Sequence, residues 1–269
     1  MFFFSAELEN LKERIHMNGT FLYDELNGRQ LDIYLPPDTS IDVPAVFVQD
    51  GSSLFRTHLL EIESMIEAKT ISPIIIVGIH PFNRLDEYTP WKASSLHSGF
   101  PDFKGEAQTY VSFLENDLLP YIKREYPVKQ TGHEHSHVGA SLGGLFVIYT
   151  LLMHPTLFQR IASISGSFWY RDFLPFAKQQ SIQSVDHLVY LSVGSEEGKG
   201  KTSAQQHMPL FNKQLHDLLL QKGMQERKLH FHIEQGEGHH LKQFQKNFLS
   251  AIKWFYKRKP KFFISKSQS

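Results

Sequence analysis

Cysteine is absent from the 269 residues, which excludes disulfides, thiolate metal centres and a thiol nucleophile, and is compatible with a reducing compartment. An excess of either charge is absent too. Lysine plus arginine number 28 and aspartate plus glutamate 28, so no global field draws the chain to nucleic acid or to an anionic membrane, and neither is expected as a partner. No apolar run reaches the roughly 18 uncharged residues that a spanning helix needs. The opening MFFFSAELENLKER has a short apolar patch, no basic n-region and charges from Glu7 onward, a poor signal peptide. Internal repeats and low-complexity linkers are lacking as well. These absences leave a cytoplasmic protein as the expectation.

What is present supports one core. With 41% hydrophobic and 21% charged residues, a single domain over residues 1–269 is expected, with a loose basic tail, KPKFFISKSQS, from about residue 258. LDIYLPP and AVFVQDG read as strands, and the Asn27-Gly28 pair in DELNGRQ is a hairpin signal joining the first two strands. The N-terminal part therefore reads as antiparallel. HLLEIESMIEAK is an amphipathic helix, PIIIVGIH a strand covered on both faces, and EAQTYVSFLENDLLPYIKREY helical again. From there strand and helix alternate through SHVGA, the run after Ser141, RIASISG, HLVYLSVG, MPLFNKQLHDLLLQKG, KLHFHIEQ and LKQFQKNFLSAIKWFYKRK. This order predicts an α/β fold with a mostly parallel central sheet and helices on both faces.

Gly139, Ser141 and Gly143 fit G-x-S-x-G after a short strand and before a helix. Such a turn leaves no room for flanking side chains, lifts the serine hydroxyl clear of the strand end, and aims the amides of the next helix at developing negative charge. Glycines that only let strand and helix pack closely would be the simpler account of the same letters. A serine hydroxyl needs a base, and the base an acid to orient it. Both types follow in the order serine, acid, histidine: Glu196 and Glu197 after one strand, His239 and His240 after the last.

The stretch GASLGGLFVIYTLLMHPTLFQRIASISGSFW resembles the Putative esterase (esterase D-like) branch of the α/β-hydrolases. VFVQDG, FLENDLLPYIKREYPV and IIIVGIHPFNRLDEYTPW agree with it, the last through Asn83, Arg84, Glu87, Tyr88, Thr89 and Pro90. The resemblance covers residues from about 20 to 257 and is nearest the esterases that open enterobactin- and bacillibactin-type trilactone siderophores. It implies an α/β-hydrolase fold, with Ser141 as nucleophile, Glu197 rather than Glu196 as acid, and His239 rather than His240 as base. It further implies an oxyanion hole from the amides of Leu142 and Ser52, and no cofactor.

Other residues carry two readings. In HEHSH, His133, His135 and His137 share one face of a strand, but no convincing further ligand accompanies them, so no metal site is expected. Asp50 reads as a loop-shaping residue. Arg84 is either a substrate clamp or the partner of Asp86 or Glu87. Trp169 and Tyr170 line a pocket or pack. Arg56, Arg84, Lys92, Arg171, Lys199 and Lys201, with Trp91, Trp169 and Tyr170, are the cations and rings expected around an anionic ester.

The function implied is a serine esterase, with a small-molecule ester as its partner, including a ferric catecholate trilactone. A general carboxylesterase or acyltransferase on small acyl esters is the alternative, and a non-catalytic binding protein on the same fold the alternative of another class.

Overall fold

The computed structural model describes residues 17–96, 98–131, 134–181 and 186–258. His133 and the expected tail beyond Arg258 lie outside them. Strands β1 (Thr20–Leu26) and β2 (Arg29–Leu35) pair antiparallel around Asn27 and Gly28. Both turn residues have positive φ, 52° and 77°, as a tight hairpin turn between right-twisted strands requires. β3 is Ala45–Gln49 and β4 Ile75–Ile79. They are followed by β5 (Ser136–Ala140), β6 (Arg160–Ile164), β7 (Leu188–Gly194) and β8 (Leu229–Glu234). The sheet order is β1-β2-β4-β3-β5-β6-β7-β8. β2 runs antiparallel to β4, and every later pairing is parallel.

Helices α1 (Leu59–Glu67), α2 (Arg84–Glu87), α3 (Ala107–Phe113) and α4 (Leu119–Glu125) precede β5. α5 (Leu142–Met153), α6 (Phe173–Gln179), α7 (Met208–Gln221) and α8 (Leu241–Tyr256) follow it. The alternation of β3 shows how the layers form. Ala45 and Phe47 face the core beneath α3 to α7, while Val46 and Val48 face the core beneath α1 and α8. α8 buries Phe248, Leu249, Ile252 and Phe255 on one stripe. Each contributes about 1.5–3 kcal/mol, and Phe248→Ala would cost about 3–5 kcal/mol.

Two local departures from the sequence reading have physical causes. The long helix expected over residues 106–126 is interrupted by a π-helical turn at Leu114–Leu118, one residue of excess that periodicity does not register. α6 was not expected, because FLPFAKQ is short and carries Pro175 in its first turns. The parallel strands meanwhile deliver the residues after β3, β5, β6, β7 and β8 to one edge of the sheet, where ligands of such folds bind.

Candidate active site

Ser141 stands between β5 and α5 with φ 58° and ψ −118°, a conformation that is costly for a side-chain-bearing residue. Its neighbours impose it. The Ser141 amide donates to Ile164 O at 2.9 Å, and its carbonyl accepts from Leu145 and Ser167, both at 3.0 Å. A methyl group on Gly139 would lie 2.4 Å from the Gly143 carbonyl carbon, which is why the strand and the helix can meet only through glycine there.

His239 Nε2 lies 3.0 Å from Ser141 Oγ, and His239 Nδ1 lies 2.7 Å from Glu197 Oε2. A carboxylate can only accept, so Nδ1 carries the ring proton and Nε2 is left to take one from Ser141. The imidazole and Phe244 meet in a T-shaped contact with 4.8 Å between ring centroids. Glu197 is buried, and its Oε1 accepts from Ser165 Oγ at 2.5 Å and from the Gly194 amide at 2.8 Å. Sequence reasoning missed Ser165. Its signal is its place just after the strand beside the one that leads to Glu197.

The paired candidates separate cleanly in space. Glu196 is half-exposed and pairs with Lys199 at 2.5 Å. His240 Nδ1 accepts the Gln243 amide at 3.3 Å, and its Nε2 meets Glu237 Oε2 at 2.9 Å. Neither Glu196 nor His240 touches Ser141.

Leu142 opens α5 and lines the cleft over Ser141, so its amide belongs to a helix start whose first N–H groups have no partner within the helix. Ser52 departs from the role that the resemblance implies. Its amide donates to Asp32 Oδ2 at 2.9 Å, toward β2, whereas Ser141 lies on the opposite side of β3. Asp32 is buried, which alone would raise its carboxyl. The bonds from Ser52 and His80 outweigh that and hold it below the usual carboxylate range.

Arg84 pairs with neither Asp86 nor Glu87. Its Nε and Nη2 meet Asp50 Oδ1 and Oδ2 at 2.7 and 3.1 Å, and Nη2 also donates to Ala140 O at 3.2 Å, one residue before Ser141. Asp50, at φ 66°, thus shapes its loop and fixes the guanidinium. Glu87 pairs with Arg29 at 2.7 Å, and Asp86 with Lys104 at 2.8 Å. The cleft above Ser141 has a volume of about 180 Å³ and is walled by Arg84, Leu85, Leu142, Phe103, Phe100 and Trp169. A second hollow of about 440 Å³ shares Phe103 and Trp169 with it and adds Tyr170 and Arg171. Tyr170 is buried and donates to Trp91 O, so it packs behind Trp169.

Of the expected cations, Arg84 lines the inner cleft and Arg171 the outer hollow, while Lys92, Lys199 and Lys201 line neither. Arg56 lies over the Phe21 ring, 3.5 Å from its centroid. His135 and His137 are core residues. His135 Nδ1 accepts from the Ala45 amide at 3.1 Å, and His137 Nε2 bonds Gln49 at 2.8 Å. Burial pushes their rings down to about 4 and about 3. Among the described residues no helix is long and apolar enough to cross a membrane.

A family model described as Putative esterase matches residues 27–255. The uncharacterized protein YbbA of Bacillus subtilis (strain 168) is 40% identical over 243 residues, 89% of this chain and 97% of its own length. Ferri-bacillibactin esterase BesA of the same organism is 31% identical over 172 residues, 58% of this chain and 56% of that protein. Among solved structures, the BES protein from Bacillus cereus is similar in fold with a TM-score of 0.70 at 24% identity, covering 91% of this chain and 98% of that one.

Proposed function

The chain belongs to the Putative esterase family and has its α/β-hydrolase fold, and from this premise we propose that it cleaves carboxylic esters through an acyl-enzyme on Ser141. The observation that carries the reading is the line Glu197, His239, Ser141, with contacts of 2.7 and 3.0 Å. His239 Nε2 takes the Ser141 proton as the oxygen attacks the ester carbonyl. The oxyanion forms beside the Leu142 amide at the positive end of α5. His239 then protonates the departing alcohol; a water attacks the acyl carbon as its proton passes to Nε2, and collapse of the intermediate breaks the bond to Ser141 Oγ, which recovers that proton from His239 as the acid leaves. Glu197 keeps the imidazole in the required tautomer throughout. No step calls for a cofactor.

For the substrate, we take the ester bonds of a catecholate trilactone siderophore. The support is the likeness to the relative named a ferri-bacillibactin esterase, together with a guanidinium and a Trp169 face on the cleft wall. A second reading, a carboxylesterase on small acyl esters, is favoured by the cleft itself. About 180 Å³ is close to what one aromatic ring fills, and below the range of drug-sized sites. Among the described residues its one charged wall residue is already balanced by Asp50.

Rates on a ferric trilactone and on a neutral aryl acetate decide between them. Arg84→Ala also loosens the elbow through Ala140, so the ratio of the two kcat/KM values is the readout. The siderophore reading expects that ratio to fall about tenfold, the scale of one charge-assisted bond. An unchanged ratio, or a wild-type preference for the aryl acetate, leaves the small-ester reading. Ser141→Ala and labelling by a serine-directed phosphonate test the nucleophile: turnover falls by about 10⁴-fold or more and labelling is lost. Retained turnover in a folded variant would place the nucleophile elsewhere.

A further inference from the structure

Ser165 follows β6 with φ 52°, a left-handed conformation that residues other than glycine, asparagine and aspartate seldom adopt. It is fully buried. Its amide donates to Ser192 O at 2.7 Å, and two residues on, the Ser167 amide donates to Ser141 O at 3.0 Å. One turn therefore braces the nucleophile through its backbone and reaches the acid through its side chain. Backbone strain kept at a buried serine whose hydroxyl ends on a functional carboxylate is an outlier that asks for a role.

We infer that Ser165 is a positioning residue for Glu197, an inference that rests on the serine-esterase reading above. A buried carboxylate must find donors, because water no longer supplies them. Glu197 Oε1 takes two, Ser165 Oγ at 2.5 Å and the Gly194 amide at 2.8 Å, and this leaves Oε2 to His239 Nδ1 at 2.7 Å. The terminal torsion of a glutamate is broad and roughly two-fold, so a single amide on Oε1 does not fix the carboxylate plane. Two donors, one from the turn after β6 and one from the end of β7, do. The hydroxyl has one proton and gives it to Oε1; the Gln243 carboxamide of α8 lies farther off, at 3.5 Å from Ser165 Oγ. Among the described residues, His239 is the one ionic partner of this carboxylate, so its charge is held by hydrogen bonds rather than by a cation. Ser165 thereby acts on Ser141 at two removes, through the acid and the base.

Ser165→Gly keeps the left-handed backbone and deletes only the hydroxyl, while Ser165→Ala deletes the hydroxyl and keeps the strain. Both are expected to lower kcat by about ten- to a hundredfold, the worth of one hydrogen bond to a charged group, with KM unchanged. In both, the acidic limb of the kcat/KM profile moves to higher pH, because the protonated acid–histidine pair is easier to reach with one donor fewer. The low-field proton NMR signal of His239 Nδ1–H moves upfield or broadens in both, and this is read equally well in the Ser141→Ala background, where no turnover is needed. Wild-type kcat, pH profile and imidazole signal in Ser165→Gly would overturn the proposal, since the turn alone would then suffice. If Ser141→Ala retained activity, the assignment of Ser141 as nucleophile would fall instead, and the NMR signal would still report whether Ser165 sets the Glu197–His239 contact.

Discussion

His240 caps α8 through Nδ1 on the Gln243 amide at 3.3 Å, and this leaves its neighbour His239 free to turn the other way, toward Ser141. Two adjacent histidines thus serve different levels of the structure, one the helix start and the other the site. His239→Ala is expected to lower kcat/KM by about 10⁴-fold with little change in melting temperature. His240→Ala should keep most activity and lose about 0.5–2 kcal/mol of stability, as for a lost helix cap. Steady-state rates with paired melting curves check both, and a reversed pattern would move the base by one residue.

The glutamates should divide in the same way. Glu197→Gln replaces an acceptor facing His239 with an amide that can present its NH₂ to Nδ1, and a fall of about 10³–10⁴-fold in kcat is expected. Glu196→Gln loses only an exposed contact with Lys199. Its turnover and melting temperature should match the wild type, since exposed pairs are screened by solvent and salt.

Gly139→Ala tests the elbow without touching any reacting group. The added methyl would lie 2.4 Å from the Gly143 carbonyl carbon, so β5 and α5 must move apart and carry Ser141 with them. Turnover should fall by about 10²-fold for a displacement near 1 Å, together with about 1–3 kcal/mol of stability from overpacking. Normal kinetics would show that the strand and helix can separate without moving the hydroxyl.

Acid should unfold this protein partly through its core histidines. Folding holds the rings of His135 and His137 down to about 4 and about 3 from an ordinary 6.5, by burial. Between those values and 6.5 the unfolded chain therefore binds more protons, so stability is fully present above pH 6.5 and is lost as pH falls through this window. Each ring contributes a slope of about 1.4 kcal/mol per pH unit there. Urea titrations between pH 5 and 6.5 in His137→Met, compared with the wild type, should show the slope reduced by about one proton. An unchanged slope would mean that the ring is already protonated in the native state.

Much of this was legible in the sequence because the relevant signals are local. A continuous apolar run marked β4, the Asn-Gly turn marked the first hairpin, and a serine boxed by glycines between a short strand and a helix marked the elbow. The candidate acid and base were legible as types in chain order, but the choice within each pair needed the resemblance. What stayed hidden depends on contacts distant in the chain. Arg84 reaches Asp50, 34 residues back, rather than the acids on its own loop. Ser165 and Glu197 are 32 residues apart and meet because β6 and β7 are neighbours in the sheet. The resemblance implied an oxyanion amide at Ser52, yet that amide donates to Asp32, 20 residues back in the chain. The short α6 and the π-helical turn between α3 and α4 each shift the pattern by too few residues to alter its period.

The conformation of Ser141 has a consequence for descent as well as for chemistry. A φ of 58° with ψ of −118° is a state in which glycine rests easily and serine stores about 1–3 kcal/mol. On the acyl-enzyme reading, Ser141→Gly would therefore be inert and harder to unfold at once. In a lineage that no longer needs turnover, the first substitution at this position that raises stability also erases the hydroxyl, and the change is favoured rather than merely tolerated. A serine found here in any descendant is accordingly a record of continued use, kept against the folding preference of its own backbone.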